Sequence, residues 1–410
     1  MSGYLVANRR QFGKLAAGLA LSTALPGLGV AATGEPFKLG ALNSITGAGG
    51  VYGPGMLEAI QIAVAEVNNA GGAAGRPFQV FAEDDQTKPD AAVLAVKKLV
   101  DITRVEAVVG IWSSSVQLAT LPITNAAEIL SLNTCGAPEI ETEDKLDLVW
   151  QFYASNAIIG RAFAQIARAR GFKRPGILAY NNSTMLAQAN YFKKAWEDGG
   201  GEIAEFVVYE PNQTSYRTEL DRVLSKNPDI VSLSSYSPDV TILLKEWYQT
   251  GQECKFIAPG YSVTQAVGDT LGPDITSGII TVSNVPASAN EAYQVFVDAF
   301  KAKTGREPEM FAAAAYDMVI TLALAMELAG PDAKSPEIAS KIRSVTNAPG
   351  TKVSTFVEGR DLIKKGEEID YEGASSSLEF GSFGNTTPDF GVFEFVDGKV
   401  VLKDVMKLEA

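Results

Sequence analysis

The residues with the best prospects for chemistry fall in three short loops. Ser113-Ser114-Ser115 follow a β-branched run, Val105–Val109, that Gly110 ends, so their hydroxyls fall where the next helix should begin. Open backbone N–H groups at a helix start, aided by the helix dipole, attract a carboxylate or another anion. The same serines would also serve as ordinary N-caps. Asp84-Asp85 is a pair of adjacent carboxylates. Such a pair can share a proton and act as acid and base, or it can simply order a polar loop. The third loop carries Gly47-Ala48-Gly49 between a strand and a helix, as a dinucleotide site would. The third glycine of that fingerprint falls on Tyr52, so the cofactor pattern fails.

Composition narrows the chemistry further. The 410 residues contain no histidine, which excludes Ser-His-Asp and Cys-His catalysis and the usual histidine-ligated metal sites. Cys135 and Cys254 are the only cysteines, too few for a thiolate cluster or a disulfide framework. No metal or cofactor is expected. A net charge of −13 argues against nucleic acid or an anionic membrane surface as partner.

The elements that must hold these loops alternate in type. Strand Phe37–Leu42 leads through the glycine-rich loop 43–55 to a helix over 56–68, with Ile60, Ala63, Val64 and Val67 on one face. Strand 78–82, the Asp84-Asp85 loop and helix 89–102 follow, then the serine segment, then strand 129–132 and the loop Asn133-Thr134-Cys135-Gly136-Ala137-Pro138. Such alternation predicts a parallel sheet covered by helices on both faces, with ligands bound at the carboxyl ends of the strands. After Trp150–Tyr153 the pattern restarts. Strands at 176–180, 202–209, 229–233 and 256–258 alternate with helices, and their loops carry Thr184, Tyr236, Gly260 and Tyr261. Strand 278–283 and the Asn284-Val285-Pro286 segment reconnect the halves. Helices over 289–304 and 309–329 follow, and then short strands, including 375–383, 391–396 and 399–401. A length of 410 residues fits about two domains.

The first residues read as an address. Arg9-Arg10 precede an apolar stretch, Leu15–Val30, with small residues at Val30-Ala31-Ala32. This is the form of a cleaved export signal over 1–32, of the twin-arginine type or of the general secretory type with two arginines. The apolar stretch is shorter than a membrane span of about 20 residues, and no later segment reads as one. The mature chain is therefore expected to be soluble and free of membrane insertion.

Several of these features stand together in one known family. Gly71-Gly72 with Gly75-Arg76-Pro77, Asp84-Asp85 with Pro89, Val109-Gly110 with Ser113-Ser114-Ser115, and Ala137-Pro138-Glu139 resemble, in order and spacing, the exported substrate-binding proteins of ABC importers of the leucine/isoleucine/valine-binding type. The similarity runs from about Phe37 to Val400.

The resemblance implies two α/β lobes joined by three hinge segments and closing on a small ligand. It places 35–153 plus 285–371 in the first lobe and 154–284 plus 372–410 in the second. It further implies a monomer that binds a small molecule, delivers it to a membrane ABC permease and is not an enzyme. By similarity, Ser113 or Ser114 and the backbone near Gly136 would hold a ligand carboxylate, beside Thr134 and Cys135. Tyr52 and Trp112 would wall the cleft from the first lobe; Tyr236, Tyr261 and Thr184 would face it from the second.

Two departures bear on the ligand. Gly136 stands where amino-acid binders have a threonine, and Gly260 where they have the glutamate that neutralises the ligand ammonium. A buried ammonium without a partner costs several kcal/mol. The expected ligand is thus a small carboxylate or amide, with aromatic ones among the candidates. The alternatives are an amino-acid receptor of the same fold, a sensory receptor of that fold, and an exported enzyme using Asp84, Asp85 or Asp317.

Overall fold

A computed structural model describes residues 34–284, 291–386 and 389–406. Residues 1–32, where an export signal is expected, and most of the connection after Asn284 lie outside the described residues. The first five strands are β1 (Phe37–Asn43), β2 (Phe78–Asp84), β3 (Ala107–Ile111), β4 (Leu130–Asn133) and β5 (Val149–Ala154). The next five are β6 (Pro175–Tyr180), β7 (Phe206–Tyr209), β8 (Ile230–Ser234), β9 (Lys255–Pro259) and β10 (Ile280–Asn284). Late in the chain come β11 (Thr351–Val353), β12 (Ile369–Tyr371), β13 (Asn385–Thr386), β14 (Phe390–Val396) and β15 (Lys399–Met406).

These strands form two large sheets and one small ribbon. The first sheet runs β2-β1-β3-β4-β5-β13, all parallel. The second runs β7-β6-β8-β9-β10-β14-β15, parallel through β10 and then antiparallel. β3 and β8 are buried along their whole length, as strands covered by helices on both faces must be. The chain passes between the sheets three times: at Ser155, between Asn284 and Glu291, and between Thr386 and Phe390. The fold is that of two doubly wound α/β lobes on a three-segment hinge.

The order reverses direction between β1 and β3 in the first sheet and between β6 and β8 in the second. At such a switch point the flanking loops diverge and leave a crevice at the strands' carboxyl ends. The glycine-rich loop after β1, the serine loop after β3, the Asn181-Asn182 loop after β6 and the Tyr236 loop after β8 all lie there.

Some boundaries differ from the sequence reading. The first long helix starts at Gly53, because Pro54 fits the first helical turn, where its missing N–H is not needed. β7 starts at Phe206; the preceding Glu202–Glu205 makes no ladder of its own. The expected strand over 375–383 is a run of turns with one isolated bridge, Phe380 to Thr386.

That segment also belongs elsewhere than expected. The resemblance puts residues 372–386 in the second lobe, yet they pack on the first. Ala374 and Ser375 donate to the Asp317 carboxylate, Phe380 meets Trp150 and Phe152 edge-on, and β13 pairs with β5.

Helix Ala312–Ala329 is long and apolar enough to cross a membrane by composition, contrary to the sequence reading. It is instead the core helix of the first lobe, buried from Ala312 to Met326 and packed along helix Gly53–Asn69.

Candidate functional site

The loops at the two switch points bring aromatic rings together across the cleft. From the first lobe come Tyr52, at the start of helix Gly53–Asn69, and Trp112, just after β3. From the second come Tyr236, at the start of helix Ser237–Thr250, and Tyr261, just after β9. Trp112 meets Tyr236 across the lobes at 5.4 Å between ring centroids, and Tyr52 lies 5.4 Å from Trp112. Tyr261 lies 6.3 Å from Tyr236. All four are buried.

Phe311 sits among these rings and was missed in the sequence. Its centroid is 5.2 Å from Tyr52, 6.0 Å from Trp112, 5.2 Å from Tyr153 and 5.8 Å from Tyr261. It precedes the buried helix Ala312–Ala329, so its place at the cleft follows from the chain's late return to the first lobe. In the sequence Tyr153 marks only the point after which the pattern restarts. Tyr180 extends the wall on the second lobe, 5.0 Å edge-on from Tyr236.

Polar contacts tie the same groups across the lobes. The Tyr52 hydroxyl donates to the Tyr261 carbonyl, which also accepts from Ser237 Oγ at 2.8 Å. Asn182 Nδ2 donates to the Tyr236 hydroxyl at 3.1 Å, with the Thr184 hydroxyl beside it. Burial pushes Tyr52 up to about 12, offset in part by Ser237, and Tyr180 up to about 12, with the charge of Asp239 adding to it. Burial raises Tyr153, Tyr236 and Tyr261 as well. At neutral pH these groups are all phenols that can donate.

The serine loop is built differently from an ordinary cap. Ser113 occupies the N-cap position of helix Ser114–Ala126, but no side chain caps the helix. Ser113 Oγ instead pairs with Ser115 Oγ at 2.9 Å. Ser114 Oγ turns away to accept from the N–H groups of Gly136 at 3.1 Å and Ala137 at 3.2 Å. The expectation that these serines cap the helix is therefore not met, and the first-turn N–H groups stay open to an anion. Ser114 Oγ also faces the Cys135 thiol, toward which its own hydrogen can be donated. The Gly136 N–H is committed to Ser114 rather than offered to a ligand.

The neighbouring loop adds one donor and one inert group. Thr134 is buried with its hydroxyl unpartnered among the described residues. Cys135 packs in the apolar cluster with Leu42, Val108 and Ile111, and burial raises its thiol well above the usual range. It is neutral and structural. Neither Cys135 nor Cys254 is in a disulfide.

The two glycine departures have steric reasons. A Cβ on Gly136 would stand 2.8 Å from Asn156 Oδ1 and 3.0 Å from the Ala154 carbonyl. A Cβ on Gly260 would fall 1.8 Å from Ser283 Oγ, so a glutamate cannot stand there unless Ser283 moves.

The aspartates once considered for catalysis are engaged in structure. Asp84 accepts from the N–H groups of Ile45, Thr46 and Gln86 and from Thr46 Oγ1. Burial pushes Asp84 up, but these bonds outweigh it and hold the carboxyl below its ordinary value. Asp85, raised by burial, accepts from Ser44 Oγ at 2.7 Å and Thr87 N at 2.6 Å. Together they lash the glycine-rich loop to the loop after β2, and so position Tyr52. Asp317 accepts four bonds, from the Tyr371 hydroxyl, Ala374 N, Ser375 N and Ser375 Oγ.

Two lobes, a three-segment hinge and a site split between them match a known family model, described as a periplasmic binding protein, over residues 36–361. The chain belongs to the periplasmic binding protein family. It is of the leucine/isoleucine/valine-binding type.

Among its curated relatives is the leucine-, isoleucine-, valine-, threonine- and alanine-binding protein of Pseudomonas aeruginosa, 24% identical over 335 residues that cover 80% of this chain and 87% of the relative. Among solved structures, the leucine-binding protein LivK of Thermotoga maritima superposes with a TM-score of 0.77 at 21% identity, over 90% of this chain and 98% of the other. A solute-binding protein of R. palustris in complex with benzoate gives 0.74 at 21% identity, over 90% and 96%. Neighbours of one fold thus bind quite different solutes.

Proposed function

We propose that this protein is the exported receptor of an ABC importer, closing its lobes on a small aromatic carboxylate or amide and presenting the closed form to a membrane permease. The observation that carries the ligand class is the cluster of Tyr52, Trp112, Tyr236, Tyr261 and Phe311 beside an uncapped helix start. Rings favour a flat apolar body. The open N–H groups, the Ser113 and Ser114 hydroxyls and Thr134 favour an acidic or carbonyl end. Gly260 supplies no carboxylate for an α-ammonium group, and Ser283 Oγ occupies the space that its side chain would start from. The benzoate complex among the structural neighbours accords with this reading.

One observation favours a second reading, an amino-acid receptor. Asp239 is buried in the second lobe close to Tyr180, Tyr209 and Tyr216, with one carboxylate oxygen unpartnered among the described residues. It would have to serve the ligand ammonium in place of the missing glutamate.

A thermal-shift panel separates the two. Benzoate, 4-hydroxybenzoate, benzamide, leucine and phenylalanine are each added in excess; a ligand at a hundred times its Kd stabilises by about 2.7 kcal/mol. Stabilisation by the aromatic acids or benzamide and none by leucine is the expected result. Stabilisation by the amino acids alone, lost in Asp239→Asn, would establish the second reading instead.

A further inference from the structure

A groove of about 660 Å³ opens at the mouth of the cleft and touches the aromatic cluster through Tyr52 and Tyr261. Both lobes build it: Val51 and Met310 from the first, Pro238 and Ala266 from the second. Its lining is mostly apolar, and Val51 is 56% exposed there, on a chain whose net charge is −13. A concave apolar surface of this size, sharing Tyr52 and Tyr261 with a ligand cleft, is what a bound small molecule covers. Glu309 is the one charged residue in the lining, and one of its oxygens is paired with Arg306.

We infer that this groove is an extension of the binding site, and that it takes an uncharged apolar tail carried on the far edge of the aromatic carboxylate. The inference rests on the aromatic-carboxylate reading given above. The carboxylate lies at the serine loop and the ring among Trp112, Tyr236 and Phe311. A substituent opposite the carboxylate then meets Tyr52 and Tyr261, the two residues shared with the groove, and enters it by displacing the Tyr52 hydroxyl from the Tyr261 carbonyl. The lobes meet around this tail only when closed, so burying it also favours closure. The Glu309 carboxylate rejects a second anionic end, which separates such ligands from dicarboxylates of equal length.

Calorimetric titration of the mature protein with benzoate and its 4-methyl, 4-ethyl, 4-propyl and 4-butyl derivatives tests this. Each added methylene is expected to tighten binding about two- to fourfold, the upper figure being that of full burial. The ratio of 4-butylbenzoate to benzoate affinity should collapse toward one in Ala266→Trp and, independently, in Val51→Trp, which fill the groove from opposite lobes. 4-(3-Carboxypropyl)benzoate should show no gain over benzoate. Taking the ratio within each variant removes any change at the ring or carboxylate. Benzoate binding with no gain along the series, or a gain untouched by both tryptophans, overturns the groove while leaving the aromatic-carboxylate reading intact. If no member binds at any length, that reading falls and the groove inference falls with it.

Discussion

Replacing Tyr52 by phenylalanine separates closure from folding, because the two ends of this side chain serve different lobes. Its ring packs within the first lobe, 5.4 Å from Trp112 and 5.2 Å from Phe311. Its hydroxyl alone reaches the second lobe, donating to the Tyr261 carbonyl. That carbonyl keeps its bond from Ser237 Oγ at 2.8 Å, so Tyr52→Phe leaves no acceptor stranded. The loss is then one neutral hydrogen bond, about 0.5–1.5 kcal/mol, felt only in the closed form. Ligand affinity should weaken by a factor of about 2–12, with the urea midpoint of the ligand-free protein unchanged.

Tyr52→Ala also removes the ring contacts, and should cost about 3–5 kcal/mol of stability in addition. Adding Ser237→Ala to Tyr52→Phe strips the carbonyl of both donors, and the pair should cost more than the sum of the single changes. Calorimetry with benzoate or the best ligand of the panel, beside urea denaturation of each variant, provides both readings. Unchanged affinity in Tyr52→Phe, or a stability loss equal to that of Tyr52→Ala, would refute the division of labour.

Other substitutions probe the remaining parts of the site and its frame. Ser114→Ala leaves the buried N–H groups of Gly136 and Ala137 without their acceptor. It should lower unfolding stability by about 1–3 kcal/mol in denaturant titrations, with affinity for carboxylates falling as well. Trp112→Ala removes ring contacts to Tyr52, Phe311 and, across the cleft, Tyr236; binding should weaken by about a hundredfold or more, read by calorimetry. Asp317→Ala strands four donors on Tyr371, Ala374 and Ser375 and should destabilise the first lobe by about 3 kcal/mol or more at neutral pH. Burial raises the Asp317 carboxyl from 3.8 to about 6 despite those donors. The folded state thus binds this proton more tightly than the unfolded one. The corresponding stability is full below about pH 4 and is lost as pH rises through about 6, a change of roughly 3 kcal/mol. The wild-type advantage over Asp317→Ala, measured by denaturation at pH 4 and pH 7, should be larger at pH 4.

Much of the architecture was legible in the residues, and for identifiable reasons. Alternating short β-branched runs and amphipathic stretches dictate parallel sheets with helical cover, and strand-end loops then become the site. The family resemblance points to Tyr52, Trp112, Tyr236 and Tyr261, and each stands in a loop at a strand's end or a helix's start. Phe311 and Tyr153 could not be placed there, since periodicity reveals which element a residue joins but not which distant loop it will face. The serines show the limit of local rules. Propensity makes them caps, while the structure spends Ser114 on the neighbouring loop and Ser113 on Ser115. Residues 372–386 were misplaced because turns held by side-chain bonds to Asp317, and by Phe380 against Trp150, leave no periodic trace.

A crystal structure of the protein grown with benzoate, or with whichever aromatic acid or amide stabilises it most, bears on the ligand reading directly. The expected density places the ring against Trp112 and Tyr236, which part from their 5.4 Å contact to admit it, and the carboxylate or carbonyl at the open N–H groups of Ser114–Val116 on the side of Thr134. A ligand seated elsewhere, or an amino acid whose ammonium is held by Asp239, would contradict it.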